Sequence, residues 1–78
     1  MRFSAVYPRE VVEAAIRHGA RNVIVYHNHP SGVAEPSAAD ENITKRLRQA
    51  LAVIEVTLLD HLIVGDLVVY SFSDHGLL

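Results

Sequence analysis

Cysteine is absent from the 78 residues, which excludes a disulfide framework, any thiolate metal site and a cysteine nucleophile. An excess of basic charge is also missing: seven Lys and Arg face nine Asp and Glu, a net charge of −2. Broad nucleic-acid binding needs clustered cations on one face, so nucleic acid is not an expected partner. No apolar run approaches the ~20 residues of a membrane-spanning helix, and the opening residues lack the layout of a secretory signal. A cytoplasmic chain with no membrane partner is therefore expected. Repeats, low-complexity tracts and linkers are wanting too, so residues 1–78 read as one domain. What is present in quantity is apolar side chain, 50% against 21% charged, a globular composition. Histidine is also frequent, with five residues. Metal chemistry here must use His and carboxylate ligands. A chain this short buries only about 60–65% of its unfolded surface. It is also far below the ~250 residues of the barrel enzymes that carry paired His at a strand end.

The order of elements expected is β-α-β-α-β-β. Residues 2–7 alternate weakly, as in a short strand. Pro8 suits the first turn of a helix, where its missing N–H costs nothing. From Pro8 to His18, Val11, Val12, Ala15 and Ile16 form an apolar stripe opposite Arg9, Glu10, Glu13 and Arg17, and Gly19 supplies a stop. Residues 22–27 (NVIVYH) are apolar on both faces and read as a buried central strand. Ser37 is a candidate N-cap for a second helix with Ile43, Leu47, Ala50 and Leu51 on one stripe. Lys45, Arg46 and Arg48 fall on its wet side, interrupted by Glu41 and Gln49, which is a solvated face rather than a DNA footprint. Residues 56–64 and 67–72 read as a hairpin turning at Gly65-Asp66. The fold class is α/β, a mixed sheet flanked by helices. Two helices are few for so many two-sided apolar strands. Further strands or a second copy of the chain, making a homo-oligomer, would cover the remaining faces.

The informative segment is His27-Asn28-His29-Pro30-Ser31-Gly32, followed by Pro36-Ser37-Ala38-Ala39-Asp40. Residues two apart on a strand share a face, with Cα atoms ~7 Å apart, so His27 and His29 can converge on one ion. They stand at the C-terminal end of a strand, where α/β folds place ligands. Asp40 falls in the first turn of the next helix, where the dipole favours the ionised carboxylate a metal needs. Two neutral His, one carboxylate and an open position for water match a catalytic rather than a structural zinc site. Ser37-x-x-Asp40 is equally the pattern of a capping box, with Asp for the usual Glu, and as such needs no metal. Asp60 and His61 interrupt an otherwise apolar strand; each either orients a ligand His or forms a satisfied structural pair. Asn28 and Ser31 are candidates for shaping the loop, and His18 and His75 are expected at the surface.

The spacing His27-x-His29, seven residues, Ser37, two residues, Asp40 resembles the JAMM (MPN+/JAB) zinc motif. The wording around it is similar to the bacterial RadC family in particular: Tyr7-Pro8-Arg9-Glu10-Val11, His27 to Gly32, Glu35-Pro36-Ser37, Leu59-Asp60-His61-Leu62-Ile63-Val64-Gly65 and Ser71-Phe72-Ser73-Asp74-His75-Gly76. The resemblance implies a partial JAB/MPN-like fold, with Zn²⁺ held by His27, His29 and Asp40. It also implies that Ser37 donates a hydrogen bond to a water or oxyanion, and that the chemistry is metal-assisted hydrolysis of amide or isopeptide bonds in a peptide or protein substrate. Family members have long carried a DNA-repair label, which this sequence does not itself support.

The match breaks at one point. JAMM hydrolysis uses a Glu as general base, on a strand well upstream of the segment that Arg9-Glu10 resembles. Met1 stands only a few residues before that segment, so the expectation is the C-terminal portion of the domain without that Glu. Glu10 and Glu13, the only acidic residues before His27, belong to a solvated helix face. Such a chain would bind zinc yet hydrolyse slowly, since losing the general base costs about 10²–10⁴-fold. The rival reading is a partner-binding module that keeps the metal loop without catalysis.

Overall fold

A computed structural model of the chain describes residues 7–78; the strand expected over residues 2–7 falls outside these but for Tyr7. The described chain runs α1 (Pro8–His18), β1 (Asn22–Asn28), α2 (Ala38–Val53), β2 (Thr57–Val64) and β3 (Val69–Ser71). Pro8 opens α1, and Gly19 closes it in the left-handed region at φ 62°, its N–H reaching the carbonyl of Ile16. Val11, Ala14 and Ala15 are the buried residues of α1, whereas Ile16, expected on the apolar stripe, is 62% exposed. Successive residues advance 100° around a helix, so a stripe centred on Val11 and Ala15 takes Ala14 and leaves Ile16 on the flank.

Among the described residues the sheet has three strands in the order β1-β2-β3, with β1 parallel to β2 and β2 antiparallel to β3. β2 is thus the central strand. Among the described residues the NVIVYH segment pairs with β2 alone, and it is not buried on both faces as expected. Its alternation shows why: Val23 and Val25 are buried, while Ile24 is 38% exposed. Val23, Val25 and Leu58 share one apolar cluster with Val11 and Ala15 of α1 and Leu47 and Leu51 of α2. Both helices therefore pack on the same face of the sheet. Thr44, not among the residues expected inward, is also fully buried on α2.

The register between β1 and β2 slips once. Val23 pairs with Leu58 but Ile24 pairs with Asp60, so Leu59 is the extra residue of a bulge. In an unbroken strand, Leu58 facing the core would bring Asp60 and Leu62 to the same face. With the bulge, His61 and Ile63 turn inward instead, both 0% exposed, opposite Val25 and His27.

Candidate metal centre

His27 follows Val23 and Val25 on the face covered by the helices, and ends that row where the cluster turns polar. Beyond β1 the backbone N–H of His29 donates to the carbonyl of Val64, which ties the loop to the end of β2. The chain then turns so that the Gly32 N–H returns to the His29 carbonyl at 2.9 Å. Gly32 sits at φ +80°, and a Cβ there would run into the Asp66 carboxylate. That carboxylate can swing aside, so it is the left-handed backbone that favours glycine at this position.

The returning loop delivers Ser37 as the N-cap of α2. The Ser37 hydroxyl oxygen accepts from the Asp40 N–H at 3.1 Å, and the Ser37 N–H donates to Asp40 Oδ2 at 2.8 Å. This is the reciprocal capping box. It also fixes the Asp40 carboxylate toward the two imidazoles. Asp40 Oδ1 lies 3.2 Å from His27 Nε2, and Asp40 Oδ2 lies 3.1 Å from His29 Nε2. The capping and metal readings of Ser37-x-x-Asp40 are thus compatible: one carboxylate serves both, and the cap aims it.

These three residues form a group whose nitrogen and oxygen atoms lie within 4.8 Å of one another, a geometry that could hold a metal ion. Ligands about 2.0–2.1 Å from a tetrahedral zinc are about 3.3 Å apart, close to the two N···O separations here. Protonation states fit as well. The Nδ1 of His29 lies 2.9 Å from the Val33 carbonyl, which can only accept, so that nitrogen carries a proton and Nε2 is the one turned to Asp40. Burial, with help from His29, lowers the pKa of His27 below its usual range against the pull of Asp40. For Asp40 burial acts upward, but the hydrogen bonds from Ser37 and the neighbouring imidazoles outweigh it, and its carboxyl titrates below the ordinary value. For His27 and Asp40 these directions favour the neutral imidazole and the ionised carboxylate, the forms a cation requires.

Behind His27 stands His61. Its Nε2 is 2.9 Å from His27 Nδ1, its Nδ1 contacts the Thr44 hydroxyl, and its ring stacks on Phe72 with centroids 4.6 Å apart. Burial, then the charge of His27, pushes its pKa down to about 4. Asp60, the other polar residue of that strand, points elsewhere. It accepts from the Ser71 hydroxyl and from the backbone N–H groups of His61 and Ser73, holding the turn after β3. The two candidates thus separate: His61 adjoins the group and Asp60 does not. Ser31 takes part in the loop by accepting from the Val33 N–H. His18 and His75 are exposed, as expected, with His75 Nδ1 donating to the Ser71 carbonyl. Glu13 pairs with Arg9 on the wet side of α1, where Glu10 is also exposed. Lys45, Arg46 and Arg48 are exposed on α2. Thr44 is the residue that sequence reading missed. Its signal was there: it follows Asp40 by one helical turn and so shares its face.

A parallel pair of strands, a His-x-His strand end and a helix whose first turn supplies the carboxylate are consistent with a partial JAB fold, which is the family that the comparison gives. Residues 1–77 match the RadC-like JAB domain, and the chain belongs to that family. It is 58% identical over 73 residues to a UPF0758 protein of Janthinobacterium sp. (strain Marseille), covering 94% of this chain and 33% of that protein. A UPF0758 protein of Vibrio cholerae serotype O1 (strain M66-2) is 59% identical over 73 residues, again 94% and 33%. One from Nitrosococcus oceani is 57% identical over 75 residues, 96% of this chain and 34% of the relative. The chain spans about a third of the length of these curated relatives, whose names state no activity. Among the described residues no helix is long and apolar enough to cross a membrane.

Proposed function

We propose that this chain is the metal-bearing part of a zinc hydrolase acting on amide or isopeptide bonds of a peptide or protein substrate. The observation that carries this reading is the convergence of His27, His29 and Asp40 at zinc-like spacing. Bound zinc would supply Lewis acidity, lowering the pKa of a water toward about 7 and polarising an amide carbonyl. Ser37 then has a second task. Its oxygen already accepts the Asp40 N–H, so its own proton is free to be donated to a water or to the oxygen on which charge develops. Among the described residues Asp40 is the one carboxylate of the group, and it is committed as a ligand. The general base therefore comes from outside this group, and this chain alone binds zinc with slow turnover, by the ~10²–10⁴-fold that a general base contributes.

Equilibrium dialysis against zinc tests the site. The expected result is stoichiometric metal on the unaltered chain and none on His27→Ala or Asp40→Ala. Equal zinc on all three overturns the reading. A peptidase assay with and without chelator then separates a hydrolase from a metal-loaded binding module.

A further inference from the structure

Gly65 opens the turn between β2 and β3, and its backbone runs closer to the loop after His29 than a side chain would allow. A Cβ placed on it would stand 2.5 Å from the Gly32 carbonyl oxygen, 3.1 Å from the Ala34 backbone nitrogen and 3.2 Å from the Ala34 Cβ. Non-bonded heavy atoms rest about 3.5–4.0 Å apart, so the first of these is a collision. Its φ is not left-handed; close approach of two backbones is what asks for glycine here. Hydrogen bonds close the seam on either side. The His29 N–H donates to the Val64 carbonyl at 3.1 Å, and the Asp66 N–H donates to the Gly32 carbonyl at 3.0 Å. Ala34 is buried against Ile63 and Phe72, so the loop has no room to give way inward. One residue earlier, the Val33 carbonyl lies 2.9 Å from His29 Nδ1. The turn therefore touches both the backbone of His29 and the stretch against which its ring rests.

We infer that the turn Val64-Gly65-Asp66 is the seat of His29, and that Gly65 is a positioning residue acting on it through the backbone of residues 32–34. This rests on the zinc reading above for its purpose, but the claim concerns how His29 is held before any ion arrives. The three proposed ligands are then placed by three different means. His27 belongs to β1 and is placed by pairing with Ile63. Asp40 is aimed by the cap at Ser37. His29 lies beyond the strand, and packing of one loop on another fixes it. The Asp66 carboxylate also lies against Gly32, but Asp66 is exposed and its side chain is free to move. The seat is made of backbone.

Amide hydrogen exchange on the full, metal-free chain reads the seam without altering it. The N–H groups of His29 and Asp66, bonded across it in opposite directions, should open together and share one protection. An Asp66 N–H that exchanges freely while that of His29 stays protected overturns the inference. Gly65→Ala forces the loop off the turn. It should weaken zinc binding by about 10–100-fold, the range for groups that orient a ligand from outside, and alter the visible spectrum of the cobalt(II)-loaded chain. Asp66→Ala keeps the backbone N–H and should change neither. Leu47→Ala loosens the chain elsewhere, and its folded fraction should keep the parent's affinity and spectrum. A folded Gly65→Ala chain that matches the parent in both sinks the inference and leaves the metal site standing. An equal loss in Asp66→Ala or in folded Leu47→Ala also sinks it, since the backbone seat would then not be the cause. Should Gly65→Ala fail to fold, exchange in the parent decides. A parent that takes no zinc overturns the metal reading, and exchange still decides the seat.

Discussion

The two ends of the β1–β2 pair are built from neighbouring residues of the same strands, yet they obey opposite rules. At the entering end Val23, Val25 and Leu58 meet Leu47 and Leu51 in a cluster without polar side chains. At the leaving end, one turn of α2 and one strand repeat away, the same covered face carries His27, His61, Thr44 and Asp40. The apolar end is held by burial, which is non-directional and tolerates exchange of one aliphatic side chain for another of like volume. The polar end is held by hydrogen bonds that each need a particular atom. Among the described residues no buried side-chain nitrogen or oxygen lacks a partner. A domain of this size can keep so many polar groups inside only because each is satisfied.

Leu47→Ala attacks the apolar end and should have the largest effect on stability. Leu47 is 0% exposed, and such truncations cost about 2–5 kcal/mol, a large part of the roughly 5–15 kcal/mol that a domain has. Urea denaturation measures the loss. Zinc bound per folded chain should stay unchanged, and a simultaneous collapse of metal binding in chains that remain folded would show that the two ends are not separable.

Acid attacks the other end. In the metal-free protein His61 titrates near 4 against 6.5 in an unfolded chain, so the unfolded state takes up a proton first as pH falls. Stability is therefore fully present above pH 6.5 and declines toward pH 4, by roughly 3 kcal/mol for this one group. The lowered pKa of His27 adds in the same direction over the upper part of that window. Asp40, with its pKa depressed, contributes stability that is lost only at more acid pH, as the folded carboxyl protonates. Urea midpoints from pH 7 to pH 4 should fall for the parent and much less for His61→Phe; equal slopes would contradict the assignment.

Ser37→Ala, the smallest change, should cost about 1 kcal/mol through the lost helix cap. It should leave zinc affinity within a few-fold, because the Ser37 N–H still holds Asp40 Oδ2. A much larger loss of metal would mean that the hydroxyl, and not the backbone, aims the carboxylate.

How much of this was legible depended on distance along the chain. His27, His29, Ser37 and Asp40 lie within one loop, so their spacing alone brought them together, and the cap at Ser37 was readable for the same local reason. The helices at Pro8 and Ala38 and the hairpin around Gly65 were likewise written in local signals. Burial of each face was not, because an apolar run such as NVIVYH has the same composition whether one face or both are covered; Ile24 is 38% exposed. Nor could Asp60 and His61 be told apart. Alternation counted from Leu58 selects Asp60, and only the bulge at Leu59 reverses the choice. Thr44 went unnoticed because a hydroxyl on a helix draws attention only once the ring it touches is known to be there.

The carboxylate of Asp40 belongs at once to the first turn of α2 and to the cluster of imidazoles. If the proposed zinc binds, fraying of that turn and loss of the ion would be thermodynamically linked: whatever steadies one would steady the other by an equal free energy. The start of an ordinary helix would then be a latch whose strength depends on what the neighbouring histidines hold.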